Sequence, residues 1–360
     1  MKDSGWSTYR RLLVRSYWLD VFERTLTPLT AGWYQDAWWT YLLVPFSWFF
    51  GKLAARRRFR FATGKRTPWR ADVPVIIVGN VTLGGTGKTP LVIWLVDWLR
   101  ARGFQPGVVS RGYGGRAVAT PLEVPSLNAD PDLYGDEAPI IAKRSGCPVV
   151  VGADRVKAVK QLLSNGCVDI VVSDDGLQHY ALARDVEIVV VDGHRGLGNG
   201  RLLPAGPLRE PATRMSEADW IVSNGRASGL VPDEALMSVC PRAFIHLRTR
   251  ERLDVDEFAD RYNDVHAVAG IGNPNRFGQT LRELGLRPLV HPLKDHHRYT
   301  GKEIEFADGL PVVCTEKDAV KLCRIHAPLD RCWYLEIDVV IDAKDEERLT
   351  DILHAHAILN

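Results

Sequence analysis

The stretch Val75-Ile-Ile-Val-Gly-Asn-Val-Thr-Leu-Gly-Gly-Thr-Gly-Lys-Thr-Pro90, followed by Leu91-Val-Ile-Trp-Leu-Val96, constrains the fold of this chain more than any other. Val75–Val78 is apolar at every position, so both faces are buried, as in a parallel strand with helices on each side. Glycines at 84, 85 and 87 let the backbone curl its N–H groups round an anion, and Pro90 opens a helix whose N-terminus adds partial positive charge. The spacing predicts a strand, a phosphate-gripping turn and a helix, in that order. In that arrangement Gly84, Gly85, Thr86 and Gly87 cradle a nucleoside triphosphate, Lys88 reaches its terminal phosphates and the Thr89 hydroxyl binds Mg2+. ATP and Mg2+ are the expected ligands.

The usual form of this turn has a further glycine at position 82, where this chain has Thr82, so the turn is of the Gly-Gly-x-Gly-Lys-Thr kind. Its second half is an acidic group at the end of a neighbouring strand. The run Asp169-Ile-Val-Val-Ser-Asp-Asp-Gly-Leu-Gln-His179 supplies Asp174 and Asp175 there, either of which can hold the metal. Gln178 and His179 follow closely and are candidates for substrate contact. Ser110-Arg-Gly-Tyr-Gly114 also follows a strand, so Arg111 and Tyr113 open onto the same rim.

Further β-branched runs at 107–110, 149–151 and 187–192 alternate with helical segments such as 154–165. A second set, 220–222, 243–247, 266–269 and 311–314, begins after the turn-rich stretch 193–211. The expected fold is α/β: two α/β/α layered domains with a cleft between them, the first a P-loop NTPase-like, mostly parallel sheet, and a helical membrane-facing N-terminal segment. The expected division is 1–70 for the helical head, 71–195 for the nucleotide domain, which 335–360 can join, and 196–334 for a second domain closing over the site.

The formal charge of +2 conceals an asymmetry: residues 1–70 carry thirteen Lys/Arg against four Asp/Glu, and seven of the eleven tryptophans (Trp6, Trp18, Trp33, Trp38, Trp39, Trp48, Trp69). A basic, indole-rich segment suits lipid headgroups better than nucleic acid. Helices are expected over 7–25 and 35–52, ending in Lys52-Leu-Ala-Ala-Arg-Arg-Arg-Phe-Arg60. The most apolar stretch, 37–50, is broken by Pro45 and is shorter than the roughly 20 residues a spanning helix needs. Six cysteines without a Cys-x-x-Cys pair imply neither a disulfide framework nor a structural zinc, and the start has no secretory signal, so a reduced, internal compartment is expected.

With these motifs in place, the remaining short blocks resemble one family, the tetraacyldisaccharide 4'-kinases of lipid A assembly. The matching stretches are Gly79–Pro90, Ser110–Gly114, Gly135-Asp-Glu-Ala138, Asp174–His179, Gly198-Asn-Gly200 with Leu203-Pro-Ala-Gly-Pro-Leu-Arg-Glu210, Gly270-Ile-Gly-Asn-Pro274, Asp295-His-His297 and Thr315-Glu-Lys-Asp-Ala-Val-Lys321. The resemblance implies transfer of the ATP γ-phosphoryl group to the 4'-hydroxyl of a tetraacylated disaccharide 1-phosphate. It also implies a peripheral enzyme on the cytoplasmic face of the bacterial inner membrane, with an acylated disaccharide lipid as partner and no obligate protein partner. By the same resemblance Asp136 is the catalytic base, supported by His296, and Glu210 joins the substrate candidates. From its residues alone Asp136 reads as a turn aspartate. Lys317 reads as the start of a helix and is left outside the site. Leu293-Lys294 departs from the family's usual residues before Asp295-His296. Two other readings compete: a membrane-associated P-loop ATPase switch of the partition or targeting type, whose signature lysine would replace Leu83, and a non-catalytic nucleotide-binding module.

Overall fold

The computed structural model describes residues 31–116, 120–295 and 297–359; the helix expected over 7–25, with Trp6 and Trp18, and His296 lie outside the described residues. Two compact units are present, residues 31–56 with Leu197–Ala212, and Arg57–Gly196 with the chain from Thr213 onward.

In the first unit, the 197–212 segment is stitched to the head by side chains that sequence alone leaves unpartnered. Trp33, 1% exposed, donates its indole N–H to Pro204 O at 3.0 Å. Ser47 Oγ donates to Leu202 O (2.8 Å) and accepts from Ala205 N (2.9 Å), which satisfies a hydroxyl buried in a helix. Arg201 pairs with Asp36 at 2.9 Å and lies 3.8 Å over the Tyr41 ring. Where a helix is expected over 35–52, a 3-10 turn, Trp38–Leu43, leads into the α-helix Val44–Ala62. Pro45 accounts for the change, because it fits the first helical turn, whose N–H groups have no intrahelical partner, but not a helix interior.

The second unit contains the thirteen strands found among the described residues. The first group is β1 (Val75–Gly79), β2 (Pro106–Ser110), β3 (Leu122–Glu123), β4 (Val149–Val151), β5 (Ile170–Asp174), β6 (Val186–Asp192) and β7 (Trp220–Asn224). The chain continues through β8 (Ala235–His246), β9 (Arg252–Asp254), β10 (Asp264–Ala269), β11 (Arg287–Pro292), β12 (Val312–Thr315) and β13 (Cys332–Ile341). They form one sheet in the order β11-β10-β12-β13-β8-β7-β6-β1-β5-β2-β4-β3, with β9 beside β8.

Each half of this sheet has helices on both faces. Along β1, Ile76 and Val78 pack with Leu91, Leu95 and Ile141, whereas Val75 and Ile77 pack with Val159 and Leu162 on the other side. Along β10, Val268 packs with Leu322, and Ala267 and Ala269 pack with Phe277 and Leu281. Alternation along a strand thus feeds two cores per half, giving two α/β/α layered halves. Sequence sets the boundary between them at 195/196. Beyond it, Trp220, Val222, Ala235 and Met237 pack in the core of the first half, and so do Leu349 and Leu353 of the C-terminal helix Ala343–Ala355.

The halves meet at the long antiparallel pair β8 and β13, whose register slips between Glu336 and Ile337, opposite Pro241 and Ala243. Pro241 can sit there because a bulge needs no ladder N–H from it. In a flat sheet an antiparallel junction would send the C-terminal ends of β1 and β10 to opposite edges. The contacts described below bring those ends together, as a twisted, bulged ribbon allows.

Candidate active site

The turn after β1 forms as its residues dictate. Thr82 is buried with an ordinary φ, and the left-handed bend falls at Gly84 (φ 108°), so no glycine is needed at 82. Gly87 also has a positive φ, 97°, and a Cβ there would lie 2.4 Å from Asn224 Nδ2. That asparagine donates to Thr86 O at 3.0 Å and accepts from Arg276 Nη2 at 3.1 Å. The helix Lys88–Arg100 then starts with no side chain capping its N-terminus, which leaves its first N–H groups for a ligand.

Beside the turn, Val78 is in register with Asp174 on β5. Asp174 is fully buried; its Oδ2 accepts from Ser110 Oγ at 3.0 Å, and its Oδ1 has no protein partner. Burial, then the Glu137 carboxylate, push Asp174 up to about 7 against the pull of Lys88. Thr86 Oγ1 is likewise buried without a partner. Asp175, at φ 48°, pairs with Lys88 Nζ at 3.4 Å. An uncapped helix end, an ammonium and a buried carboxylate oxygen without a donor fit a phosphate chain carrying a hard cation, which would neutralise that oxygen. Among the described residues no three His, Cys, Asp or Glu gather as a metal cage.

Near Asp174, on which its Glu137 carboxylate acts, is the Gly135-Asp136-Glu137 loop. A Cβ on Gly135 would come 2.3 Å from Tyr113 O, so glycine here allows the Arg111–Gly114 loop to lie against it and receive a 3.4 Å hydrogen bond from Asp136 N. Asp136 is 5% exposed, and its Oδ2 is 2.7 Å from Lys321 Nζ. Lys317, one helical turn earlier, pairs with Glu137 at 3.3 Å and with Asp295 at 3.6 Å. Burial pulls the Lys317 ammonium down, but the Glu137, Asp295 and Asp136 carboxylates outweigh it and hold it above the ordinary lysine range. From the second half, Gly272 comes close enough to the turn that a Cβ on it would be 3.6 Å from Gly85 N. Its carbonyl accepts from Arg195 Nη2 at 2.5 Å.

A family model described as tetraacyldisaccharide-1-P 4'-kinase matches residues 39–357, which includes every element of this site. The chain belongs to the tetraacyldisaccharide 4'-kinase family. It is 48% identical over 312 residues to the tetraacyldisaccharide 4'-kinase of Azotobacter vinelandii, an alignment covering 87% of this chain and 92% of that one. With the enzyme of the same name from Alkalilimnicola ehrlichii it shares 46% identity over 338 residues, 93% of this chain and 100% of the relative. The fold matches the crystal structure of LpxK from Aquifex aeolicus in complex with ATP at a TM-score of 0.72 and 24% identity, over 88% of this chain and 99% of that one.

Within this 4'-kinase family member the expected site residues divide. Gly84, Gly85, Thr86, Gly87, Lys88, Thr89, Asp174 and Asp175 lie at the ends of β1 and β5, and Asp136 lies on the loop whose Glu137 carboxylate acts on Asp174. Arg111 and Tyr113 are exposed on the rim. Gln178 Nε2 donates to Asn80 O at 3.2 Å, bracing the start of the turn. Burial, then Arg155, Arg111 and Arg57, push His179 down to about 3, so its ring is neutral at physiological pH. Glu210 is buried in the 197–212 segment of the other unit.

Sequence reasoning missed Ser110, Arg155, Asn224 and Lys321. Arg155, 2% exposed, holds Gly152 O (2.6 Å) and Asp174 O (3.1 Å), which explains a buried arginine beside two aspartates. A signal for Lys321 was present, since Lys317 and Lys321 are four apart and share one helical face.

Proposed function

We propose that this protein transfers the γ-phosphoryl group of ATP to the 4'-hydroxyl of a tetraacyldisaccharide 1-phosphate, giving lipid IVA. Two observations carry the reading together: the glycine turn with Lys88 beside Asp175, and a buried carboxylate, Asp136, held by Lys321, in a chain whose family is named for this reaction. Phosphoryl transfer asks mainly for positioning and charge neutralisation. Gly84–Gly87 and the first turn of the 88–100 helix bind the phosphate chain through backbone N–H groups. Lys88, which here pairs with Asp175, supplies a positive charge to the terminal phosphates. Thr89, Asp174 and Asp175 would hold Mg2+, which supplies charge neutralisation between the phosphoryl oxygens. Asp136 takes the proton of the attacking sugar hydroxyl, with His296 in support, while the bond from the γ-phosphorus to the diphosphate of ADP breaks. Arg111, Tyr113, Gln178, His179 and Glu210 are assigned to substrate contact; His179, being neutral, acts as a hydrogen-bonding group rather than an acid.

The head, residues 1–70, is read as a peripheral membrane-docking segment, residues 71–195 with 335–360 as the nucleotide half, whose core Trp220, Val222, Ala235 and Met237 also join, and the remainder of 196–334 as the half that closes over the site. Support for docking comes from Trp38, Phe46, Trp48 and Phe49, each more than half exposed, beside the basic run 56–60. Among the described residues no helix is long and apolar enough to cross a membrane. The exposed aromatics and the basic run favour a peripheral position at a membrane, and the use of ATP assigns it to the cytoplasmic face of the inner membrane.

The test is incubation of purified protein with Mg-ATP and tetraacyldisaccharide 1-phosphate, followed by product mass. Addition of one phosphate by the wild type, and loss of most of the rate in Lys88→Ala and Asp136→Ala, is the expected result. Nucleotide hydrolysis with no phosphorylated lipid would instead establish the ATPase-switch reading.

A further inference from the structure

We propose that Lys321 is a positioning residue for phosphoryl transfer: delivered from the second half of the sheet, it keeps the Asp136 carboxylate ionised and aimed. The proposal rests on Asp136 being the base, as read above.

Three observations carry it. Asp136 is 5% exposed, and a carboxylate so buried tends to retain its proton, which would disable it as a base. Lys321 Nζ, 2.7 Å away with its side chain 11% exposed, opposes that tendency. The same ammonium donates to His297 O at 3.2 Å, so two of its three N–H bonds are committed and its direction is set.

The helix that carries Lys321, Glu316–Leu322, is itself tied to the phosphate turn. Thr315 caps it through Asp318 N, and the fully buried Asp318 accepts from Gly270 N at 3.2 and 3.1 Å. Gly270 opens the loop whose Gly272 lies beside Gly85 and accepts from Arg195. A continuous series of contacts therefore runs from the glycine turn through 270–272 and Asp318 to Lys321 and the base. Lys317 braces the same helix on Glu137 and Asp295. Asp136 is aimed when the second half is seated on the nucleotide turn, which couples nucleotide engagement to readiness of the base. Charged groups facing Asp136 include Lys321 and Lys317 from this helix and Glu137 from its own loop, with Asp295 reaching it through Lys317.

The experiment measures lipid phosphorylation against pH for the full chain and for Lys321→Met, Lys321→Arg and Asp136→Asn. Lys321→Met is expected to lower kcat by about 100-fold, the scale of a misplaced catalytic group, while the KM for ATP stays within about threefold. Its acid limb should move up by about 1–3 pH units, because the opposite charge that favoured the ionised carboxylate is gone. Lys321→Arg restores the limb and most of kcat. A Lys321→Met enzyme with kcat within threefold of wild type, or with a lower kcat and an unmoved acid limb, overturns the proposal. Asp136→Asn at the wild-type rate would instead remove the base assignment itself, so the two failures are distinct. Thermal melting tests the contact without activity. Lys321→Met combined with Asp136→Asn should melt above Lys321→Met alone, since it leaves no unpaired buried charge, and melting at or below the single variant counts against the pair.

Discussion

Replacing Gly87 by alanine should damage this protein twice, and the structure gives the size of each effect. At φ 97° the backbone is in a region that costs a residue with a Cβ about 1–2 kcal/mol. The new methyl group would also lie 2.4 Å from Asn224 Nδ2 and 3.0 Å from Met237 Cε, too close for either to stay. Displacing Asn224 breaks its hydrogen bond to Thr86 O, worth about 0.5–1.5 kcal/mol net. The sum is about 1.5–3.5 kcal/mol, read as a lower urea midpoint if the turn keeps its shape. If the turn relaxes instead, the cost appears in nucleotide binding, about 10- to 300-fold in the Kd for Mg-ATP by calorimetry. Gly85 supplies the internal comparison. Its φ is not positive and a Cβ there meets nothing within 4 Å, so Gly85→Ala should leave stability within about 0.5 kcal/mol of wild type while crowding the phosphates and weakening Mg-ATP. A Gly87→Ala protein with wild-type midpoint and wild-type nucleotide affinity would refute this account of the turn.

Three further outcomes follow from the packing and the ion pairs. Leu353→Ala should cost about 2–5 kcal/mol in chemical denaturation, because Leu353 is fully buried in the core of the nucleotide half; a loss below 1 kcal/mol would mean that the C-terminal helix does not belong there. Glu303 is held down to about 2: burial pushes it up, but His297 at 2.9 Å and the N–H groups of the 300–301 turn outweigh that. Its folded value is depressed, so its stabilisation of about 2–3 kcal/mol is present above the usual glutamate range and lost as pH falls from about 4.5 towards 2. Glu303→Gln should therefore be less stable at pH 7, with the gap to wild type closing over that window, and a gap constant with pH would contradict the pairing. Trp48→Ala with Phe49→Ala removes exposed apolar area, so it should weaken sedimentation with anionic vesicles by about tenfold or more and leave the urea midpoint unchanged; undiminished vesicle binding would remove the docking proposal.

Much of the fold was legible because its information is local. Val75–Val78 is apolar throughout, and such a run has to be sandwiched, so β1 and its layers follow from composition within one strand. The strands that sequence reasoning passed over lack that mark. β11 carries prolines at 288 and 292 at the outer edge of the sheet, and the first part of β8 mixes Ser238, Cys240 and Arg242 among its apolar residues because its partner is a single bulged ribbon. The helix start at Val44 was obscured by Pro45, whose meaning depends on whether it falls at the first turn or within a helix.

Sequence by itself determined the chemistry at the nucleotide end of the reaction: a glycine turn with Lys88 and Thr89 has few uses other than gripping phosphates, and its residues are consecutive. Tertiary structure decided what no spacing carries. Asp136 and Lys321 are 185 residues apart, yet 2.7 Å separates their charges, because the β8–β13 ribbon turns the second half over and brings the ends of β1 and β10 to one place. A long-range ion pair of this kind depends on strand order, twist and a bulge, and those are properties of the packed sheet rather than of any segment of chain.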